Sequence, residues 1–332
     1  MKIGMLHGAG GEAMGDLLKR LLANFSSTHA GGVGLEAMDD GAVIPIGDRN
    51  VVFTTDSHIV RPLFFPGGDI GRISVCGTVN DLAMMGGRPL ALSCGMVIEE
   101  GFELEILERI VRSMDDALTE AGASLVTGDT KVMGRGDLDG IVINTAGIGI
   151  ADTVIRDSGL QEGDRILVSG TLGDHGLAVL TFREGFELGE QIHSDVAPLW
   201  SLVEEALRAG TIHAMTDPTR GGFASAINEM ARKSRKRVII DEEYLPVRKS
   251  VRSAADMLGI DPLEVANEGK VILAVAPEDA EAVLSALRSH RYGRDAAIVG
   301  MVAEGSEVVM RTRIGGERFI EPPIGDPVPR VC

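Results

Sequence analysis

KVILAVAPEDAEAVLSALRSHRYGRDAAIVGMV, residues 270–302, holds strand, helix and strand in a single sweep. KVILAVA (270–276) reads as a strand, residues 277–290 as a helix and AAIVGMV (296–302) as a second strand. The same alternation extends backwards through RILVSG (165–170), a helix from about His175, a helix over residues 194–208, the strand RVII (237–240) and a helix near residues 250–258. Strands alternating with helices indicate α/β layers. TDPTRGG (216–222) precedes a helix whose first turn carries Gly221 and Gly222, so Asp217 and that helix N-terminus form a polar mouth. ANEGKVIL (266–273) presents Asn267 and Glu268 just before a strand.

Residues 152–163 lose the apolar pattern and form a polar, glycine-containing link. The chain therefore divides into a first domain, 1–154, a second, 155–320, and a proline-rich arm, 321–332. In the first domain MDDGAVIPIGDRNVVFTTDS (38–57) reads as two strands joined by a Gly-Asp-Arg-Asn turn, bringing Asp39 or Asp40, with Asp40 nearer, opposite Asp56 across the strand ends. CGTVNDLAMMGGRPLAL (76–92) is a helix buried all round, with Asn80 and Asp81 inserted, followed by a Gly-Gly break and a strand. Buried polar groups must be satisfied, which marks both residues as site candidates. Residues 104–121 are an amphipathic core helix through Leu104, Leu107, Ile110, Val111, Met114 and Leu118. SLVTGDTKVM (124–133) places a short strand before Gly128, Asp129, Thr130 and Lys131, in the strand-end position where site residues are displayed. Near the start, HGAGGEAMGD (7–16) runs a glycine loop, with Gly10 and Gly11, into an amphipathic helix, an arrangement able to cradle phosphate on backbone N–H groups.

The balance of 32 basic against 49 acidic residues, a net charge of -17, disfavours nucleic acid and anionic lipid as partners. The basic run RKSRKR (232–237) reads as a solvated helix end. Three cysteines, Cys76, Cys94 and Cys332, are no disulfide framework, and there is neither a leader-like N-terminus nor a long apolar run. The expectation is a cytoplasmic protein.

Asp40, Asp56, Asp81, Asp129 and Asp217 all sit at the mouths of regular elements. Hard oxygen donors without Cys/His spacing suit Mg²⁺, and Mg²⁺ beside glycine-rich turns implies a nucleoside triphosphate. The final stretch, EPPIGDPVPRVC (321–332), has four prolines and ends on Cys332. Polyproline-like chain gains about 3.1 Å per residue, so this arm can carry a thiol between two stations.

DDGAV, TTDS, VNDLAMMG, GDTKVM, DPTRGG and NEG, in this order and spacing, resemble the ATP-binding family of aminoimidazole ribonucleotide synthase, selenophosphate synthetase and thiamine-monophosphate kinase. With the closing PRVC, where Val331 replaces the usual isoleucine, the chain is similar to the hydrogenase-maturation branch of that family. The resemblance spans residues 4–332. It implies a two-domain aminoimidazole ribonucleotide synthase-like α/β (α+β) fold, with an N-terminal sheet domain that dimerises into a homodimer and a C-terminal α/β sandwich. It also implies an ATP-dependent carbamoyl dehydratase. A HypF-type carbamoyltransferase would load a carboxamide onto Cys332, this chain would dehydrate it to a thiocyanate, and a HypC–HypD complex would accept the cyanide for a [NiFe]-hydrogenase iron. By the same resemblance Asp40, Asp56, Asp81 and Asp217 hold metal, and Asn80, Asp129, Thr130, Gly10 and Gly11 hold nucleotide.

An amide oxygen leaves only after phosphorylation, and a base must then take the remaining N–H proton. Lys131 and Glu268 are the candidates, and whether Lys131 is base or phosphate counter-charge stays open. The rival expectations are a phosphoryl-transfer enzyme of the same family acting on a small molecule, and a non-enzymatic thiol carrier. The latter would not need the aspartates.

Overall fold

A computed structural model describes residues 2–8, 11–186, 192–325 and 327–332. The first half runs α1 (Gly11–Leu22), β1 (Ala42–Ile46), β2 (Arg49–His58), the short β3 (Phe64–Phe65) and β4 (Gly68–Asp69), α2 (Ile70–Met84), β5 (Gly87–Glu99), α3 (Leu104–Ala121), β6 (Ser124–Met133) and β7 (Ile141–Ala151). Five of these strands form a sheet in the order β1-β2-β7-β5-β6, with only β5 and β6 parallel. α2 is buried on nearly every side, as apolar and small residues on every turn require, and is capped by the Asp69 side chain accepting from Arg72 N at 3.0 Å. α3 covers the same core with Ile110, Met114, Ala117 and Leu118. Leu104 and Val111, expected in that core, are instead exposed at the helix's outer edge.

The second half contains β8 (Arg165–Val168), α4 (Asp174–Arg183), α5 (Trp200–Ala209), β9 (Ile212–Thr216), α6 (Gly222–Ser234), β10 (Arg237–Asp241), α7 (Lys249–Leu258), β11 (Ile272–Val275), α8 (Ala280–Ser289), β12 (Ala297–Ala303), β13 (Val308–Arg311) and β14 (Glu317–Phe319). Its seven-stranded sheet is ordered β14-β13-β10-β12-β8-β11-β9, and only β10 and β13 are parallel. The α/β alternation of the sequence thus folds into mainly antiparallel, helix-covered sheets, which is the α+β form. One apolar cluster packs α6 on this sheet around Phe223 and Ile227, and another packs α5 and α8 on it around Leu202 and Leu287.

Three local expectations change. β6 does not stop before Gly128 but pairs with β5 from Ser124 to Met133, so Asp129, Thr130 and Lys131 lie within an edge strand and not on a loop. The helix expected from residue 194 begins at Trp200. Residues 194–199 form a strap with backbone N–H groups that bond to the first half of the chain, Ser194 N donating to Pro66 O and Leu199 N to Asn80 Oδ1, and Pro198 cannot supply a helical N–H. The basic run after α6 is not wholly solvated. Lys233 turns inward onto Asp157 at 2.5 Å, Glu229 at 3.1 Å and Asp39 at 3.5 Å, tying α6 to the entry of β1.

Residues 327–332 run along the protein. Val328 and Val331 are buried in an apolar cluster that joins α2 and α3 to residues of α4 and α7, Ile59 N donates to Cys332 O and Arg61 N to Arg330 O, and Arg183 donates to Pro329 O. The side chains of Arg61 and Arg330 both meet Asp139. The arm expected to extend into solvent therefore docks its last residues, because two valines find apolar cover there. Among the described residues no helix is long and apolar enough to cross a membrane.

Candidate active site

A cavity of about 500 Å³ opens where the two sheets' edges meet, lined by Asp40, Asp56, Asp81, Asp217, Glu268 and Cys332 among others. Each carboxylate arrives on a different element. Asp40 precedes β1, and since Ala42 pairs with Phe53 its backbone lies level with Thr55, one residue short of the Asp56 expected opposite. Asp56 is on β2, Asp81 on α2, Asp217 follows β9, and Glu268 precedes β11. Gly77, one turn before Asp81 on α2, leaves the space that Asp56 and His58 occupy: a Cβ there would lie 2.9 Å from His58 Cε1 and 3.3 Å from Asp56 Oδ2.

Carboxylate oxygens of Asp40, Asp81 and Asp217 all lie within 4.8 Å of one another. At that distance two carboxylates repel by on the order of 3 kcal/mol for an effective dielectric near 20. Burial first, and Asp217 second, push Asp40 and Asp81 well above the usual carboxylate range, and burial with Asp56 pushes Asp217 up to about 7. Three converging oxygen ligands that either protonate or need a cation fit a divalent metal such as Mg²⁺. The Thr54 hydroxyl lies 2.9 Å from Asp81 Oδ2 and 3.1 Å from Asp40 O, fixing two members of the triad at once.

Next to Asp40, Asp39 behaves oppositely. Burial works against its charge, but the Arg156 contact at 2.5 Å, with help from Lys233, holds its carboxyl below the ordinary range. Glu268 is 3 % exposed, its Oε1 has no hydrogen-bond partner among the described residues, and burial followed by Asp217 raises it well above the usual range. Its backbone is fixed by Asp195, which accepts from Glu268 N at 3.1 Å, Asn267 Nδ2 at 2.8 Å and Lys270 Nζ at 2.9 Å. A high-affinity proton acceptor is thus held rigidly in the cavity wall beside a thiol.

Other expected residues lie elsewhere. Asn80 does not line the cavity. Its Nδ2 donates to Ala197 O at 3.1 Å and Glu268 O at 3.3 Å, and its Oδ1 accepts from Leu199 N, so it satisfies the strap and the Glu268 loop. Asp129 and Lys131 form an exposed 2.7 Å ion pair. Along one cross-strand row Asp129 faces Gly95, Gly95 faces Asn144 and Asn144 faces Ser57. Three strand spacings, roughly 14 Å, therefore separate that pair from β2. Thr130 shares their strand, Gly11 begins α1, and Gly10 is outside the described residues.

Thr54, His58 and Arg220 were not singled out by the sequence reading. Strand alternation could have found the first two, since residues 54, 56 and 58 share one face of β2. His58 is buried 3.7 Å from Asp56, and burial lowers its pKa.

Family models for AIR synthase related proteins match this chain, the N-terminal domain over residues 38–151 and the C-terminal domain over residues 161–313. The fold is that of this class. Over its full length the chain is 53% identical to a putative hydrogenase expression/formation protein of Methanocaldococcus jannaschii, which it covers completely. It is 45% identical to the carbamoyl dehydratase HypE of Rhizobium leguminosarum, with 100% of this chain and 95% of that one covered. A solved HypE–HypF complex matches with a TM-score of 0.88 and 43% identity over 94% of this chain and 100% of that chain. HypE in complex with ATP matches with a TM-score of 0.83 and 41% identity over 100% of both chains. The chain belongs to the HypE family.

Proposed function

We propose that this protein dehydrates a carboxamide carried on the Cys332 sulfur, consuming ATP and leaving a thiocyanate that supplies cyanide to the iron of a [NiFe]-hydrogenase. The observation that carries the reading is that Cys332 lines the same cavity as the Asp40, Asp81 and Asp217 triad and Glu268. A small-molecule kinase has no use for a thiol delivered into its own phosphoryl-transfer site. The relative named carbamoyl dehydratase and the solved relative with ATP support the same reading.

Asp40, Asp81 and Asp217 would hold Mg²⁺, with Asp56 beside them in the wall. The metal supplies charge compensation for the polyphosphate and polarises the transferred phosphoryl group. The thiocarboxamide oxygen, held in the cavity by the docked tail, is the nucleophile. Glu268 takes an N–H proton as the nitrile forms, a task suited to a buried carboxylate of raised proton affinity. Lys131 stands three strand spacings from β2 in its own protomer, so we assign it, with Asp129 and Thr130, to the cavity of a second copy reached across the open sheet face, where it acts as base or as phosphate counter-charge. Asn80 supports the nucleotide site by positioning the Glu268 loop.

We infer a homodimer formed through that face. Every residue of β6 is exposed, Val126 by 64 % and Val132 by 69 %, and Phe53 and Ile148, register partners on β2 and β7, are exposed by 41 % and 42 %. Apolar exposure of this kind along an open edge strand calls for a partner. We also infer that a HypF-type carbamoyltransferase loads Cys332, in line with the HypE–HypF complex of the relative, and that HypC–HypD accepts the cyanide. The unpaired buried thiols Cys76 and Cys94 suit the cytoplasm.

The test is intact mass after incubation with carbamoyl phosphate, ATP, Mg²⁺ and a HypF-type transferase. A single adduct on the peptide carrying Cys332, shrinking by one water when ATP and Mg²⁺ are present and missing in Cys332→Ala, is expected. An adduct that never loses water indicates a thiol carrier, and a label on Cys76 or Cys94 overturns the reading.

A further inference from the structure

Among the described residues, six acidic side chains line the cavity, Asp39, Asp40, Asp56, Asp81, Asp217 and Glu268, against one cationic side chain, Arg220. Arg220 is exposed at the rim and makes no ion pair with a carboxylate among the described residues. Its only hydrogen-bonding contact there is with the Met14 thioether, at 3.9 Å. A guanidinium beside so much negative charge stays unpaired only if its backbone holds it away. The turn does this: Gly221 and Gly222 have φ of 75° and 60°, and Gly222 N donates to Thr219 O. A Cβ on Gly222 would come 2.5 Å from Val265 O, so the tight turn that aims Arg220 depends on glycine. Partial burial disfavours the Arg220 charge, but Cys332 first, and then Asp56, Glu268 and Asp81, more than offset this.

We propose that Arg220 is a further catalytic residue, whose guanidinium binds the oxygen of the Cys332 carboxamide and then the phosphate esterified to that oxygen. The assignment rests on the dehydratase reading above. In the first step the carboxamide oxygen bonds to the γ-phosphorus, the bond from that phosphorus to the ADP oxygen breaks, and one N–H proton is lost, giving S–C(=NH)–O–phosphate. In the second the C–O bond breaks, the other N–H proton leaves to Glu268, and S–C≡N and inorganic phosphate remain. Of the two protons one ends on the phosphate and one in solvent, which balances the removal of water against ATP hydrolysis. Negative charge accumulates on the carboxamide oxygen as the C–O bond breaks, and a planar cation is suited to it.

The assignment is tested on the full chain loaded with cyanate, which adds across a thiol to give the same S-carboxamide and bypasses the transferase. Peptide mapping confirms the label at Cys332. Water loss is followed by intact mass at saturating ATP and Mg²⁺, and ATP affinity by calorimetry, for wild type, Arg220→Ala and Arg220→Lys. Arg220→Ala is expected to take the label and bind ATP within threefold of wild type, yet to dehydrate about 10²–10³-fold more slowly, the usual effect of removing one donor from a developing oxyanion. Arg220→Lys, or guanidinium ion added to Arg220→Ala, is expected to restore part of the rate. Dehydration of Arg220→Ala within threefold of wild type overturns the assignment. So does a loss of ATP affinity as large as the loss of rate, which puts the guanidinium on the nucleotide, or a complete failure of both rescues. If the labelled wild type loses no water, the dehydratase reading itself falls, and this assignment with it.

Discussion

His175 Nε2 lies 2.7 Å from the carbonyl oxygen of Val331, one residue before the cavity thiol. A carbonyl only accepts, so Nε2 carries the proton and Nδ1 accepts from Ser194 Oγ at 2.7 Å. Burial lowers the His175 pKa, which keeps the ring in this neutral form. The bond belongs to a weakly held clamp. Burying Val328 and Val331 contributes about 3–6 kcal/mol by area and the tail's hydrogen bonds to Ile59, Arg61, Arg183 and His175 about 0.5–1.5 kcal/mol each, while ordering the backbone of residues 327–332 costs about 1–2 kcal/mol per residue, so the docked tail is close to balance. A tail so balanced can leave for loading and return.

His175→Ala removes the ring's hydrogen bond to the tail, worth about 0.5–1.5 kcal/mol net, together with the one from Ser194. The Cys332 thiol should therefore react several-fold faster with a disulfide reagent, with the label confined to the peptide carrying Cys332. An unchanged rate would show that His175 does not hold the tail.

Asp81→Asn and Asp217→Asn each remove a ligand charge from the triad. Mg²⁺-dependent ATP binding, measured by titration calorimetry, should weaken about tenfold or more in each, equivalent to about 1.4 kcal/mol. Wild-type affinity in both variants would remove the metal from this cluster.

Without metal, stability should fall as pH rises from about 5 to 8. Asp217 titrates near 7 in the folded state, against about 3.9 unfolded. The folded form thus binds its proton more tightly, and this stabilisation, complete below the unfolded pKa, is lost as pH climbs through the folded one. Asp40, Asp81 and Glu268 are displaced in the same direction. Calorimetric melts should show a decline of several degrees over this range, largely reversed by Mg²⁺. A flat profile would mean that these groups do not ionise together in the folded protein.

Asn80→Ala should cost about 2–3 kcal/mol in urea melts, since Leu199 N, Ala197 O and Glu268 O all lose their buried partner. ATP affinity should change little. A variant of native stability that no longer binds ATP would return Asn80 to the nucleotide site.

Much of the site was legible as chemistry before it was legible as geometry. Asp40, Asp56, Asp81, Asp217, Glu268 and Cys332 could be picked out one by one because each interrupts an apolar pattern or ends an element. That they share one cavity could not be read this way, since they come from separate elements of both halves of the chain. Lys131 and Asp129 show the converse: a glycine suggested a strand end, but pairing along the whole of β5 carried the strand through it.

By itself the sequence determined the order of strands and helices, the burial of α2, the acidic donor set and the thiol-bearing tail, because hydrophobic period and residue chemistry are local properties. Tertiary structure alone decided that Asn80 turns to the strap, that Lys233 turns inward, that Val331 docks against His175 and that Arg220 is, among the described residues, the one cationic side chain lining the cavity. Those outcomes depend on which distant groups share a desolvated space, where an unpaired polar atom or like charge is costly, and no periodicity along the chain encodes that.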